Sequence, residues 1–61
     1  MPLIRVEMFP GRTLEQKKEF AVAITREASQ ILKCEPGAVD VIFSEIQKDE
    51  WATGGKLWSE A

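Results

Sequence analysis

Apolar and polar residues alternate from Leu3 to Phe9. Ile4, Val6 and Met8 fall on one side, and Leu3, Arg5, Glu7 and Phe9 on the other. Period two with one wholly apolar face predicts a strand, ended by Pro10-Gly11. The period then changes. Thr13-Leu14-Glu15-Gln16 has the form of a capping box, with Thr13 as N-cap and Gln16 three residues on, able to reach back to the cap N–H. Phe20, Ile24, Ala28, Ile31 and Leu32 follow at helical spacing with Ala21 beside them, while Lys17, Lys18, Arg26 and Gln30 lie away from that stripe. The spacing predicts a helix from about Thr13 to Lys33, roughly 30 Å long at 1.5 Å per residue. Pro36-Gly37 then stops it.

Val39, Val41 and Phe43 alternate with Asp40, Ile42, Ser44 and Ile46. Both faces are largely apolar, which predicts a second strand buried on both sides. Gln47-Lys48-Asp49-Glu50 is a polar connection, Thr53-Gly54-Gly55-Lys56 reads as a tight hairpin turn, and Leu57-Trp58 as a last short strand. The order strand, long helix, strand, hairpin predicts an α+β fold: a single β-α-β unit with a C-terminal hairpin, its crossover right-handed and its two main strands parallel. Residues 1–61 are expected to form one domain.

Composition narrows the chemistry. Net charge is −2, with charged residues making up 30% of the chain and both signs interspersed, so there is no basic footprint for nucleic acid. The chain has no histidine, which removes Ser/His triads and the commonest metal ligand. Cys34 is the only cysteine, so no internal disulfide forms, and it reads as a small apolar residue near a helix end. The start lacks a signal-peptide pattern and no stretch approaches a membrane span, so a reduced, cytoplasmic protein is expected. Hydrophobic residues are 44% of the chain, yet two strands under one helix bury too little surface to offset a chain entropy of about 1–2 kcal/mol per residue. Trp51, Leu57 and Trp58 add apolar groups with no intramolecular home. Oligomerisation is the expected solution.

One feature of the start is chemical. Initiator methionine is trimmed before small residues, and its removal here would leave Pro2 with a free secondary amine. That amine is both a base and a nucleophile. Burial near cations would keep it neutral at pH 7, because both disfavour the protonated form. The alternative reading of Pro2 is the first residue of a strand, where a missing N–H costs nothing.

Pro2, the segment Gly11-Arg12-Thr13-x-Glu15-Gln16-Lys17, the β-α-β pattern of about sixty residues, and Trp51-x-x-Gly54-Gly55 together resemble the 4-oxalocrotonate tautomerase family. The resemblance covers essentially the whole chain. It implies a tautomerase-superfamily fold assembled as a hexamer, a trimer of dimers, with helices outside four-stranded dimer sheets and active sites at subunit junctions. It implies a cofactor-independent isomerase acting on a small unsaturated 2-oxo or 2-hydroxy acid, as in conversion of 2-hydroxymuconate to 2-oxo-3-hexenedioate in aromatic compound degradation. Residue by residue, Pro2 matches the catalytic base. Arg12 matches an arginine that binds a substrate carboxylate and draws electron density toward it, a task its planar fork suits. Trp51 stands where the family has an aromatic, and Leu3 and Phe9 at positions that line the apolar pocket. Neither a metal nor a membrane is implied.

Asp40 is the departure. The 2-hydroxymuconate enzyme has a second arginine there, contributed from a neighbouring subunit to the carbonyl or dienolate oxygen. A carboxylate repels a dicarboxylate substrate and cannot stabilise a developing oxyanion. Either the substrate differs, or another residue such as Arg5 or Lys56 supplies the cation, or a second kind of subunit does, in a hetero-hexamer. Arg5 also reads as an ion-pair partner of Glu7 or of a neighbouring subunit. Two other functions stay open: a hydratase or dehalogenase, with protonated Pro2 as acid and Asp40 activating water, and a non-catalytic subunit that keeps the fold. Glu15, Lys17, Lys18 and Glu19 read as a solvated helix face with weak ion pairs.

Overall fold

The computed structural model describes residues 1–60. Strand β1 (Leu3–Met8) leads to helix α1 (Leu14–Leu32) and strand β2 (Asp40–Glu45); β3 (Ala52–Thr53) and β4 (Lys56–Leu57) form a small hairpin. Short 3-10 turns occupy Pro36–Ala38, Lys48–Glu50 and Trp58–Glu60. β1 and β2 are parallel, in a register running from Leu3 opposite Asp40 to Met8 opposite Glu45. The pairing continues at both ends: Asp40 N–H donates to Pro2 C=O at 3.0 Å, and Ile46 N–H to Met8 C=O at 2.8 Å. The α+β class, the β-α-β unit and the terminal hairpin are all as the sequence pattern predicts.

The helix is set by local chemistry. Thr13 N–H donates to Gln16 Oε1 at 2.9 Å and Gln16 N–H to Thr13 Oγ1 at 3.1 Å, which closes the capping box. The far end differs in cause from expectation. Lys33 adopts a left-handed conformation (φ 56°) and ends α1 before Pro36 is reached, with Lys33 N–H and Cys34 N–H both donating to Ser29 C=O. Pro36-Gly37 opens the next 3-10 turn. In the hairpin, Gly54 and Gly55 have φ of 61° and 83°, the pair of positive values a two-residue primed turn requires. Leu57 ends β4, and Trp58 belongs to the following turn rather than to a strand.

α1 lies against the face bearing Val6, Met8 and Phe43, with the Phe20 and Phe43 rings meeting edge to face at 6.2 Å. The opposite face carries Leu3, Arg5, Glu7, Asp40 and Ile42 and is open, with Leu3 53% and Ile42 45% exposed. β2 is therefore not buried on both sides in one chain. Ile31 and Leu32, placed by their spacing on the apolar stripe, are also exposed, because α1 outruns the short sheet beneath it. Lys17 departs the other way. Its Nζ meets Glu45 Oε2 at 2.8 Å, so it reaches the sheet instead of the solvated face.

No residue among those described is fully buried. The chain exposes 4853 Å², against about 4000 Å² for a folded monomer of this mass. Its radius of gyration is 14.6 Å, against about 10.5 Å for a compact chain of this length. One layer of sheet and one helix make a thin plate, 43 × 24 × 13 Å, without an interior.

Candidate active site

β1 positions the two groups of candidate residues, and it sets them apart. Pro2 precedes its first residue. It is half-buried, with its carbonyl tied to the Asp40 N–H at 3.0 Å, while Met1 stands clear at 91% exposed. Leu3 and Asp40 are register partners at this same end, on the open face of the sheet. The Asp40 carboxylate makes no ion pair among the described residues. Neither does Arg5, so the expected Arg5–Glu7 pair is not formed within this chain.

Phe9 and Trp51 meet at the other end, and Arg12 follows Phe9 by three residues in the chain. The path from Pro2 to Phe9 is seven strand steps, roughly 23 Å at about 3.3 Å each. Gly11 (φ 124°) turns the chain between Phe9 and Arg12, a conformation a side chain resists. Arg12 then lines a largely apolar cavity of about 290 Å³ between the helix and the sheet, with Val6, Met8, Gln16, Lys17, Phe20 and Phe43. Pro2, Leu3, Phe9, Asp40 and Trp51 are not part of that lining. The cavity follows the helix-covered face, whereas Phe9 continues the alternation of the opposite one. The fit to a substrate site therefore rests on the placement of the residues and not on this cavity.

An aromatic cluster closes the Phe9 end. The ring centroids of Phe9 and Trp51 are 4.5 Å apart with planes at 54°, and those of Phe9 and Trp58 are 5.5 Å apart at 62°. Tilted and edge-on contacts of this kind add about 0.5–1.5 kcal/mol each beyond area burial. Trp58 is anchored twice: its Nε1–H donates to Thr53 Oγ1 at 2.9 Å and its backbone N–H to Trp51 C=O at 3.0 Å. Trp51 and Trp58 thus have an intramolecular home, against expectation, because the hairpin folds back onto Phe9. Lys48 Nζ lies 5.8 Å from the centroid of the Phe9 ring.

Three of these placements lie outside what the sequence pattern predicts. Lys17 had a usable signal, since it stands three and four residues before Phe20 and Ala21 and so shares their stripe. Lys48 and the Thr53–Trp58 bond had none, because each depends on the return path of the hairpin. Lys56 lies exposed on β4. Cys34 is a free, half-exposed thiol. No helix among the described residues is long and apolar enough to cross a membrane.

The comparisons with known proteins agree along the whole chain. The family model described as tautomerase enzyme matches residues 2–61. A probable tautomerase from Ralstonia nicotianae is 35% identical over 60 residues, covering 98% of this chain and 92% of the relative. The crystal structure of a 4-oxalocrotonate tautomerase homologue superposes with a TM-score of 0.91 at 36% identity, covering 100% of this chain and 97% of that one. A heterohexamer 4-oxalocrotonate tautomerase from Chloroflexus aurantiacus gives 0.90 at 33% identity over 98% and 97%. Such relatives support an isomerase with a tautomerase-type function, and with the fold, the length and the matched residues in agreement, this chain belongs to the tautomerase family as a 4-oxalocrotonate tautomerase homologue.

Proposed function

We propose that this chain, as a single domain over residues 1–61, is a cofactor-independent tautomerase whose general base is the secondary amine of Pro2 after removal of Met1. Its substrates are unsaturated 2-hydroxy or 2-oxo acids such as 2-hydroxymuconate. The neutral amine takes the enol O–H proton. The electron pair left behind forms the C=O bond, the conjugated double bonds shift, and the protonated amine returns a proton to carbon. Arg12 pairs with a substrate carboxylate and draws density toward it. Leu3, Phe9 and Trp51 form the apolar wall that limits water and favours the neutral amine.

The observation that carries this reading is the likeness over residues 2–61, which takes in both ends of β1 and so both Pro2 and the Phe9–Arg12–Trp51 group. Those ends lie too far apart to act on one small substrate from the same chain. A complete site therefore joins the Pro2 end of one copy to the Arg12 end of another. The open sheet face and the missing interior supply the reason to assemble, and we assign the assembly as a hexamer, a trimer of dimers, of identical chains. The Chloroflexus relative makes a hetero-hexamer the competing arrangement.

Ketonisation of phenylenolpyruvate and 2-hydroxymuconate, followed by absorbance on protein whose intact mass lacks Met1, tests the reading. Turnover should fall by about 10²–10⁴-fold in Pro2→Ala and vanish in protein that keeps Met1, where Pro2 nitrogen is an amide. Unchanged turnover in Pro2→Ala would sink the proline mechanism.

A further inference from the structure

We propose that Lys17 is a positioning residue for Arg12: by holding the Glu45 carboxylate in an ion pair, it leaves the Arg12 guanidinium free for a substrate carboxylate. This rests on the reading of Arg12 as the group that binds that carboxylate.

The two cations share one space. The cavity of about 290 Å³ between helix and sheet has both Arg12 and Lys17 in its lining, and no carboxylate. They flank the capping box of α1. Arg12 precedes the cap, and Lys17 N–H donates to Thr13 C=O at 3.1 Å. Glu45 lies on the same side of the sheet. It is two strand residues beyond Phe43 and so shares its face, and its register partner is Met8. Phe43 and Met8 both line the cavity.

Only one of the two cations is spent. Lys17 Nζ meets Glu45 Oε2 at 2.8 Å, with the lysine side chain 26% exposed and the glutamate 40%, so solvent screens the pair only in part. Arg12 enters no ion pair and donates no side-chain hydrogen bond among the described residues. Intrinsic preference does not set that choice, because the planar guanidinium fork suits a carboxylate better than an ammonium does. Place sets it. Lys17 is fixed on the first turn of the helix, whereas Arg12 stands on the loop after Gly11. Without the ammonium, Arg12 is the cation left in the cavity and Glu45 pairs with it. A substrate must then compete for the guanidinium. Apparent affinity falls with the fraction of Arg12 left free, while a bound substrate already holds the guanidinium and turns over as before. Lys17 therefore acts on KM and not on kcat.

Ketonisation of 2-hydroxymuconate by protein lacking Met1 reads this effect. Lys17→Met should raise KM about fivefold with kcat within about twofold, the size that a partly exposed ion pair supplies. Glu45→Gln and Lys17→Arg should each stay within about twofold of wild type. The double variant, Lys17→Met with Glu45→Gln, should return to that range. A double variant as impaired as Lys17→Met overturns the proposal, since a lysine that bound substrate itself, or merely braced the helix, is not rescued by removing its partner. An unchanged KM in Lys17→Met overturns it too. Urea midpoints at matched protein concentration keep the two readings separate. Arg12→Ala and Glu45→Gln should be non-additive on a Lys17→Met background, where the two residues pair, and additive on the wild-type background. Non-additivity with a KM indifferent to Arg12→Ala would sink the reading of Arg12 and keep the exchange of partners. Additivity on both backgrounds, with a KM that depends on Arg12, would do the reverse.

Discussion

The two ends of β1 are built in opposite ways. At the Phe9 end, residues from four parts of the chain converge: a strand end, the Lys48–Glu50 turn, the hairpin and the final turn, locked by ring contacts and the Trp58–Thr53 bond. At the Pro2 end there is one backbone hydrogen bond from Asp40 and little else, with Met1 and Leu3 exposed. One end is packed by side chains from several segments, and the other is held by its backbone alone. The difference teaches why, under the proposed mechanism, a single chain would carry two half-sites and the covering for Pro2 would come from a second copy.

The sharpest test of that division is complementation. Pro2→Ala and Arg12→Ala should each be nearly inactive. Unfolded together in equal amounts and reassembled, they should recover about a quarter of wild-type turnover, because random assembly restores an intact pair at that fraction of junctions. Zero recovery, with mixed assemblies confirmed by mass, would place both residues in the same chain's site and break the comparison.

The next effect is on stability at the Phe9 end alone. Trp58→Ala removes an edge-on ring contact and the partner of Thr53, and should cost about 1–3 kcal/mol. Thr53→Val should cost about 1 kcal/mol through the lost hydrogen bond. Urea midpoints at matched protein concentration measure both. Thr53→Ser should behave as wild type, and a Thr53→Val protein equal to wild type would mean that packing alone holds Trp58.

An effect as small as that of Thr53→Val belongs to neither end. Thr13→Ala opens the capping box and should lower stability by about 1 kcal/mol, read from the urea midpoint, with turnover of the folded protein unchanged. A loss of turnover while the variant stays folded would mean that the capped start of α1 also sets the placement of Arg12.

Much of the candidate site is legible in the sequence, but as residues rather than as places. Pro2, Arg12 and Trp51 stand out by type and spacing, and Asp40 by the wrong charge. Nothing in their spacing shows that Pro2 and Arg12 lie at opposite ends of one strand, since ten residues of separation fit a near or a far arrangement equally well. Lys17 shows the reverse case. Its charge suggests a solvated position, yet its helical phase puts it under Phe20 and Ala21, and the phase wins because the long stem carries the ammonium out to Glu45.

What the sequence by itself determined is whatever rests on contacts within a few residues. The capping box at Thr13 and Gln16, the two faces of β1 and the Gly54-Gly55 turn are each written in neighbouring positions, because hydrogen bonds and backbone angles at that range depend on local residue types. The tertiary structure alone decided the parallel register that sets Asp40 beside Pro2. It likewise decided the return of the hairpin that stacks Trp51 and Trp58 on Phe9, and the placement of Lys48 over that ring. These contacts join residues roughly forty positions apart. Their partners are chosen by how the whole strand and turn path packs, and no local period carries that information.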